Sequence, residues 1–227
     1  MLILTRPAAA ARRFRTELGD HGLRLIESPV LSIRSLGAPR PTGDWAGLIL
    51  TSENGAAEAL RMGFPPGTPV WAVGDRTGQA AKGLAVTAAA GDAESLVALI
   101  LSQRPPGPLL HVRGEHARGD IAARLTAAGI PTSEVIAYAQ EARPLSPEAL
   151  TALAGNDPVI LPLFSPRSSV IILSQGPFAA PLHIAAISPA AAAPFRGQAA
   201  SLAVAAEPGS AAMVAATLAA IRRAQAG

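Results

Sequence analysis

Residues 2–27, LILTRPAAAARRFRTELGDHGLRLIE, and residues 109–134, LLHVRGEHARGDIAARLTAAGIPTSE, read as two copies of one pattern. Leu2, Thr5, Arg6, Gly22 and Glu27 stand opposite Leu109, Val112, Arg113, Gly129 and Glu134, each pair 107 residues apart with no gap between them. A short apolar strand, a turn bearing Arg, an Ala-rich helix and a second strand recur in that order. Self-similarity over a whole supersecondary unit is the mark of a duplicated architecture. The segments that follow match as well: GLILTSENG (47–55) with ILPLFSPRS (160–168), VWAVGDRT (70–77) with IAAISPAA (184–191), and residues 91–96 with 208–213. The chain therefore runs A (about 1–35), B (44–103), A′ (108–142) and B′ (156–227).

Outward from this repeat, β-branched apolar runs alternate with Ala-rich helical patterns, as in α/β units around parallel sheets. Strands are expected at Leu2–Leu4, Leu23–Ile26, Gly47–Leu50, Val70–Val73, Ala85–Thr87, Leu109–Val112, Val135–Tyr138, Val159–Phe164, His183–Ile187 and Ser201–Val204. Helices are expected at Pro7–Leu18, Asn54–Met62, Thr77–Lys82, Asp92–Ser102, Ala117–Ala127, Ser146–Ala154 and Gly209–Arg223. Two copies of one α/β unit imply two similar parallel-sheet lobes with a cleft between them. The repeat alone leaves two pairings open: A with B, or a crossed-over chain in which A joins B′ and B joins A′. Gly37–Gly43, Arg104–Pro108 and Arg143–Pro147 are the Pro/Gly-rich connections.

Composition narrows the chemistry. The 227 residues are 49% hydrophobic, 15% charged and only 4% aromatic, which excludes disorder and demands a core of Ala, Leu, Val and Ile. A net charge of +3, with Lys82 the only lysine, does not suit a polycationic nucleic-acid binder. No cysteine means no disulfide, thiolate nucleophile or Cys-bound metal. The longest uncharged run, Ser168–Phe195, is broken by Gly176, Pro177, Pro181, Pro189 and Pro194, so it reads as buried strand and loop. Met1–Leu4 is too short for the apolar region of an export signal, and the expected location is the cytoplasm.

Familiar catalytic motifs are absent: there is no GxGxxG after a strand, no GxxxxGK[ST], no HExxH and no GxSxG. His21, His111, His116 and His183 are scattered, and the expectation for them is surface or satisfied core groups. What recurs is small hydroxyl residues where strands end and helices begin: Thr51, Ser52, Thr77, Ser165, Ser168, Ser188 and Ser210. In open parallel sheets ligands bind at that edge, and helix N-termini there offer amide donors to anions. The competing reading is that they are ordinary N-caps. Arg6 and Arg113 occupy equivalent turns, where a guanidinium receives a carboxylate or simply lies over its own helix. Tyr138, the only tyrosine, is read at the end of the A′ strand. A phenol keeps its proton at neutral pH and can donate it to a leaving oxygen.

The ordered set LTRP (4–7), SPVLSI (28–33), LILTSENGA (48–56), VWAVGDRT (70–77), HVRGEHARGDIAARLTAAGI (111–130), VIAYAQEA (135–142), LFSPRSS (163–169), AAISPAAA (185–192) and AVAAEPG (203–209) resembles the uroporphyrinogen-III synthases over essentially the whole chain. The resemblance implies an outer α/β domain built from residues 1–35 and 143–227, an inserted α/β domain at 36–142, and two connector strands near 31–34 and 135–139. That selects the crossed-over pairing. It also implies a cofactor-independent, metal-free lyase of tetrapyrrole biosynthesis, which closes linear hydroxymethylbilane to uroporphyrinogen III with inversion of ring D. Carried over by motif, the family's tyrosine falls on Tyr138 as catalytic residue, and its substrate contacts fall on Ser52, Thr77 and Ser165. Where the family often has Gly-Pro-Thr-Thr this chain has Ser188, Pro189, Ala190 and Ala191, so the hydroxyl contact expected at that turn is either missing or supplied by Ser188; Arg6 completes the expected carboxylate contacts. The expected partner is the small-molecule substrate alone, with no nucleic acid, no membrane and a monomeric chain. The other reading weighed is a non-enzymatic two-lobed cytoplasmic module that binds a small acidic ligand.

Overall fold

The computed structural model describes residues 1–116 and 119–226. Ala117, where the expected helix 117–127 begins, and Gly227 lie outside the described residues. The chain opens with β1 (Leu2–Leu4), α1 (Ala8–Leu18), β2 (Leu25–Glu27) and β3 (Leu31–Ser35). Then come β4 (Gly47–Leu50), α2 (Glu53–Arg61), β5 (Pro69–Ala72), α3 (Asp75–Ala80), β6 (Ala85–Ala88) and α4 (Ala93–Gln103). The second copy supplies β7 (Leu109–Gly114), α5 (Ile121–Ala127) and β8 (Thr132–Ala142). The chain ends with α6 (Pro147–Ala154), β9 (Val159–Leu163), α7 (Pro166–Leu173), β10 (Leu182–Ala186), α8 (Pro189–Ala192), β11 (Ser201–Val204) and α9 (Ser210–Ala226).

Two compact units result, one formed by Met1–Ser32 with Ala142–Gly227 and the other by Ile33–Glu141. The sheet of the first runs β11-β10-β9-β1-β2, and that of the second β3-β8-β7-β4-β5-β6. β1 pairs in parallel with β9, and β4 with β7, so A lies beside B′ and A′ beside B. The register repeats too: Leu2 faces Ile160 as Leu109 faces Gly47, which is the alignment the two sequence repeats require. Both units therefore hold the same strand order, entered by the chain at different points. In each, the order reverses at the β1–β9 or β4–β7 junction, the switch point where open α/β sheets place ligands.

Local chemistry explains the elements. In α1, Ala11, Phe14 and Leu18 are buried on one stripe while Arg12, Arg13 and Arg15 face out. Asp92 and Ser95 cap α4 reciprocally. Central strands β4, β9 and β10 are buried at every position, whereas the edge strand β6 is exposed throughout. Gly22 and Gly129, matched in the repeat, enter the second strand of each copy with φ of 65° and 88°, backbone that favours glycine. Each sheet carries apolar clusters on its two faces, centred on Ile3, Leu161 and Phe195 or on Leu4 and Phe14 in the first unit, and on Leu50 and Val112 or on Ile49 and Leu109 in the second.

Two elements depart from expectation. β8 runs over 132–142 rather than ending at Tyr138, because Leu36 donates to the Ala137 carbonyl and continues the ladder beyond β7. The helix expected at 77–82 starts two residues earlier, with Gly74 as its N-cap, and so encloses Thr77. Among the described residues no helix is long and apolar enough to cross a membrane.

Candidate functional site

In the second unit the strand order β8-β7-β4 places Tyr138 two strands away from Ser52. Ser52 is the N-cap of α2, its Oγ accepting the Gly55 N–H at 2.9 Å. Gly55 is needed there, since a Cβ would fall 2.7 Å from the Val112 carbonyl oxygen of β7. The Tyr138 ring crosses β7 over Gly114, where a Cβ would fall 2.6 Å from the ring carbons. A register shift between Arg113 and Gly114 sets Gly114 opposite Tyr138. With the ring in that slot, the phenol oxygen lies 2.8 Å from Ser52 Oγ, and Tyr138 is only 6% exposed. Either hydroxyl can donate to the other, which leaves one proton of the pair for a third group.

The residue before Ser52 belongs to a second network. Thr51 Oγ1 is 3.2 Å from His111 Nε2, and His111 Nδ1 is 3.2 Å from Glu134 Oε1. Arg113 donates from one terminal nitrogen to Glu134 Oε2 at 2.8 Å and from the other to the Gly114 carbonyl at 2.9 Å. Its Nε is buried without a partner among the described residues. Burial holds the His111 imidazole below the usual histidine range, although Glu134 pulls the other way. Burial pushes the Glu134 carboxyl up, but the Arg113 hydrogen bond and charge, aided by His111, carry it lower overall. A neutral imidazole beside a carboxylate keeps its proton on Nδ1, so Nε2 accepts the Thr51 O–H.

The other candidates sit as follows. Thr77 is buried at 5% in the first turn of α3, not at a strand end. In the first unit Ser165 caps α7, accepting the Ser168 N–H at 3.1 Å and donating to Ser168 Oγ at 2.9 Å. Ser188 caps α8, accepting the Ala191 N–H at 3.2 Å. The Arg6 guanidinium lies 4.0 Å from the centroid of the Phe164 ring, which meets Phe14 edge-on at 4.8 Å. Capping thus describes Ser52, Ser165 and Ser188 alike, and the side-chain bond from Ser52 to Tyr138 is what sets Ser52 apart. Sequence reasoning passed over Gly114, Glu134 and the partners of His111. The only available hint was the equivalence of Arg113 with Arg6, since strand register is what brings Glu134 beside His111.

A groove of about 900 Å³ lies between α1 and β2, with Arg15, Thr16, Gly19, Asp20, Leu25 and Glu27 in its lining. Its counterpart of about 460 Å³ in the second unit has Ala122, Ala123, Thr126, Ala127, Thr132 and Glu134, each 107 residues further along. These grooves belong to the duplicated helix–strand joint, and Glu134 is the one residue of the Tyr138 surroundings in their linings. Among the described residues no group of three or more acidic or histidine side chains is placed to hold a metal ion.

Residues 12–215 match the family model HEM4, described as uroporphyrinogen-III synthase HemD. The fold is similar to that of uroporphyrinogen-III synthetase from Helicobacter pylori, with TM-score 0.67 and 16% identity over 88% of this chain and 96% of that one. It is also similar to a mutant uroporphyrinogen III synthase from Thermus thermophilus, with TM-score 0.52 and 12% identity over 98% of both chains. At such identities the structural likeness is one of fold. No curated protein matches the sequence significantly.

Proposed function

The chain belongs to the uroporphyrinogen-III synthase family, and we infer from that membership that it cyclises hydroxymethylbilane to uroporphyrinogen III in tetrapyrrole biosynthesis. The reaction is that of a lyase: water leaves and ring D is inverted as the macrocycle closes.

The observation that carries the site assignment is the 2.8 Å contact between Ser52 Oγ and the Tyr138 hydroxyl at the carboxyl edge of the second unit's sheet. In this reading the substrate's terminal C–O bond breaks as the pyrrole nitrogen lone pair pushes in. Tyr138 gives its proton to the departing hydroxyl, which leaves as water. Ring D of the resulting azafulvenium cation attacks through its substituted carbon, forming a spiro intermediate that fragments and recloses inverted. The proton lost when ring D regains aromaticity restores the phenol, so the step balances. With the Ser52 hydroxyl donating to the phenol oxygen, the Tyr138 proton is left for the departing hydroxyl, and the same pair re-forms at the end.

The substrate carries an acetate and a propionate on each pyrrole and arrives as a polyanion. Arg6, Ser165 and Ser188 are the proposed carboxylate contacts of the first unit, and Ser52 and Thr77 those of the second. The N-terminal ends of α2, α7 and α3, beside Ser52, Ser165 and Thr77, carry helix-dipole charge of the right sign. Unassisted closure favours the uninverted type I isomer, so the protein's contribution is mainly to hold the reacting ends in the inverting geometry. Incubating the purified chain with hydroxymethylbilane, oxidising the products and separating the isomers tests the function. Type III in excess is expected; type I alone would overturn it.

A further inference from the structure

The contacts around Tyr138 close on themselves. From the phenol they pass to Ser52, through one peptide to Thr51, then to His111, Glu134 and Arg113, and from the Arg113 guanidinium to the carbonyl of Gly114, the residue over which the Tyr138 ring lies. Successive residues of a strand point to opposite faces, so Thr51 and Ser52 hang on opposite sides of the end of β4. The peptide between them is fixed from one side by His111 and from the other by the cap of α2.

The fold itself does not ask for this circuit. At the equivalent positions of the first unit, 107 residues earlier, His111 is replaced by Leu4 while Glu134 keeps its counterpart in Glu27; in the matched strand pair Thr51 is replaced by Phe164. There Leu4 and Phe164 belong to an ordinary apolar cluster, and Glu27 is exposed. The same joint, in the same register, is thus built from hydrocarbon in one unit and from a buried hydrogen-bonded chain in the other. Burying a histidine and part of a carboxylate to do what Leu and Phe do elsewhere in the molecule costs desolvation with no gain in packing. The unit that bears this cost is the one that carries Tyr138.

We propose that His111, at 1% exposure, is a positioning residue for the cyclisation: acting through Thr51 and through Glu134–Arg113–Gly114, it holds the Tyr138 hydroxyl against Ser52. The proposal rests on the synthase reading for its kinetic consequence, but the positioning itself is measurable without turnover. Tyr138 is the only tyrosine, so protein labelled with carbon-13 at the tyrosine Cζ gives one resonance that reports the phenol's hydrogen bond.

The test is the double substitution His111→Leu with Thr51→Phe, which copies the first unit's joint into the second, beside His111→Gln, whose amide can still donate to Glu134 and accept from Thr51. The expected result is a folded double variant with a shifted Tyr138 resonance, kcat lower by about tenfold, KM within about twofold and a smaller type III fraction. His111→Gln is expected to restore most of the rate and the resonance. A double variant with the wild-type resonance, or with wild-type kcat and isomer ratio, overturns the proposal. So does a His111→Gln variant as impaired as the double variant. Should the double variant not fold, Thr51→Val removes the hydroxyl at nearly constant shape and is read in the same way. A wild-type chain that makes no type III isomer overturns the synthase reading instead, while the resonance still decides the positioning.

Discussion

The Tyr138 ring lies over Gly114, in a slot that a single methyl group would fill. The two residues face one another across β7 and β8 because the register shifts by one place after Arg113. The glycine is what allows a tyrosine from one strand to reach over its neighbour to the helix cap beyond.

Gly114→Ala is therefore expected to push the ring out of line with Ser52. Overpacking of this kind costs about 1–3 kcal/mol, measurable by urea unfolding, and turnover should fall more than substrate affinity. Wild-type turnover in a folded Gly114→Ala chain would mean that the slot does not position the phenol.

Ser52→Ala removes both the α2 cap and the phenol's partner. Loss of a cap costs about 1 kcal/mol, and kcat should fall severalfold in addition. Ser52→Asp keeps a cap acceptor, so it should recover stability without recovering the rate. Equal recovery of both would reduce Ser52 to a cap.

The first unit offers a sharper separation of capping from binding. Ser165→Asp preserves the cap of α7 but sets a negative charge where a substrate carboxylate is proposed to lie. KM is expected to rise severalfold while the unfolding midpoint holds. An unchanged KM would remove Ser165 from the substrate contacts.

Stability should depend on pH through His111 and Glu134. Burial holds His111 below the value of about 6.5 that it regains on unfolding. As the pH falls from neutral through that value, the unfolded chain binds the proton first and stability drops. Glu134, held lower than an unfolded glutamate despite its burial, adds a second loss that begins near pH ~4.3 and is completed below it. Urea midpoints at pH 7 and pH 5 should show a smaller acid-side drop in the His111→Leu, Thr51→Phe double variant than in the wild-type chain. Equal drops would contradict the assignment of His111 as buried and neutral.

Much of this architecture could be read from the residues because it is periodic and repeated. Leu2 and Leu109, or Gly22 and Gly129, announce the same unit twice, and the apolar runs of β4, β9 and β10 are continuous as buried parallel strands must be. Tyr138 and Ser52 were recognisable as candidates, the one by its rarity and the other by its place before a helix. Their contact was not, since it depends on which strands adjoin and on the shift at Gly114. Thr77 lies within α3 rather than before it because a glycine in extended backbone, Gly74, begins the helix. His111 looked like a satisfied core group; that it is satisfied by Thr51 and Glu134, next to the phenol, follows from register alone.

The account is tested most directly by Tyr138→Phe, which keeps the ring in its slot and removes only the hydroxyl. The measurement is the initial rate of type III formation from hydroxymethylbilane, with the unfolding midpoint as a control. A fall in kcat of at least about tenfold in a fully folded variant is the predicted result. An unchanged rate and isomer ratio would contradict it.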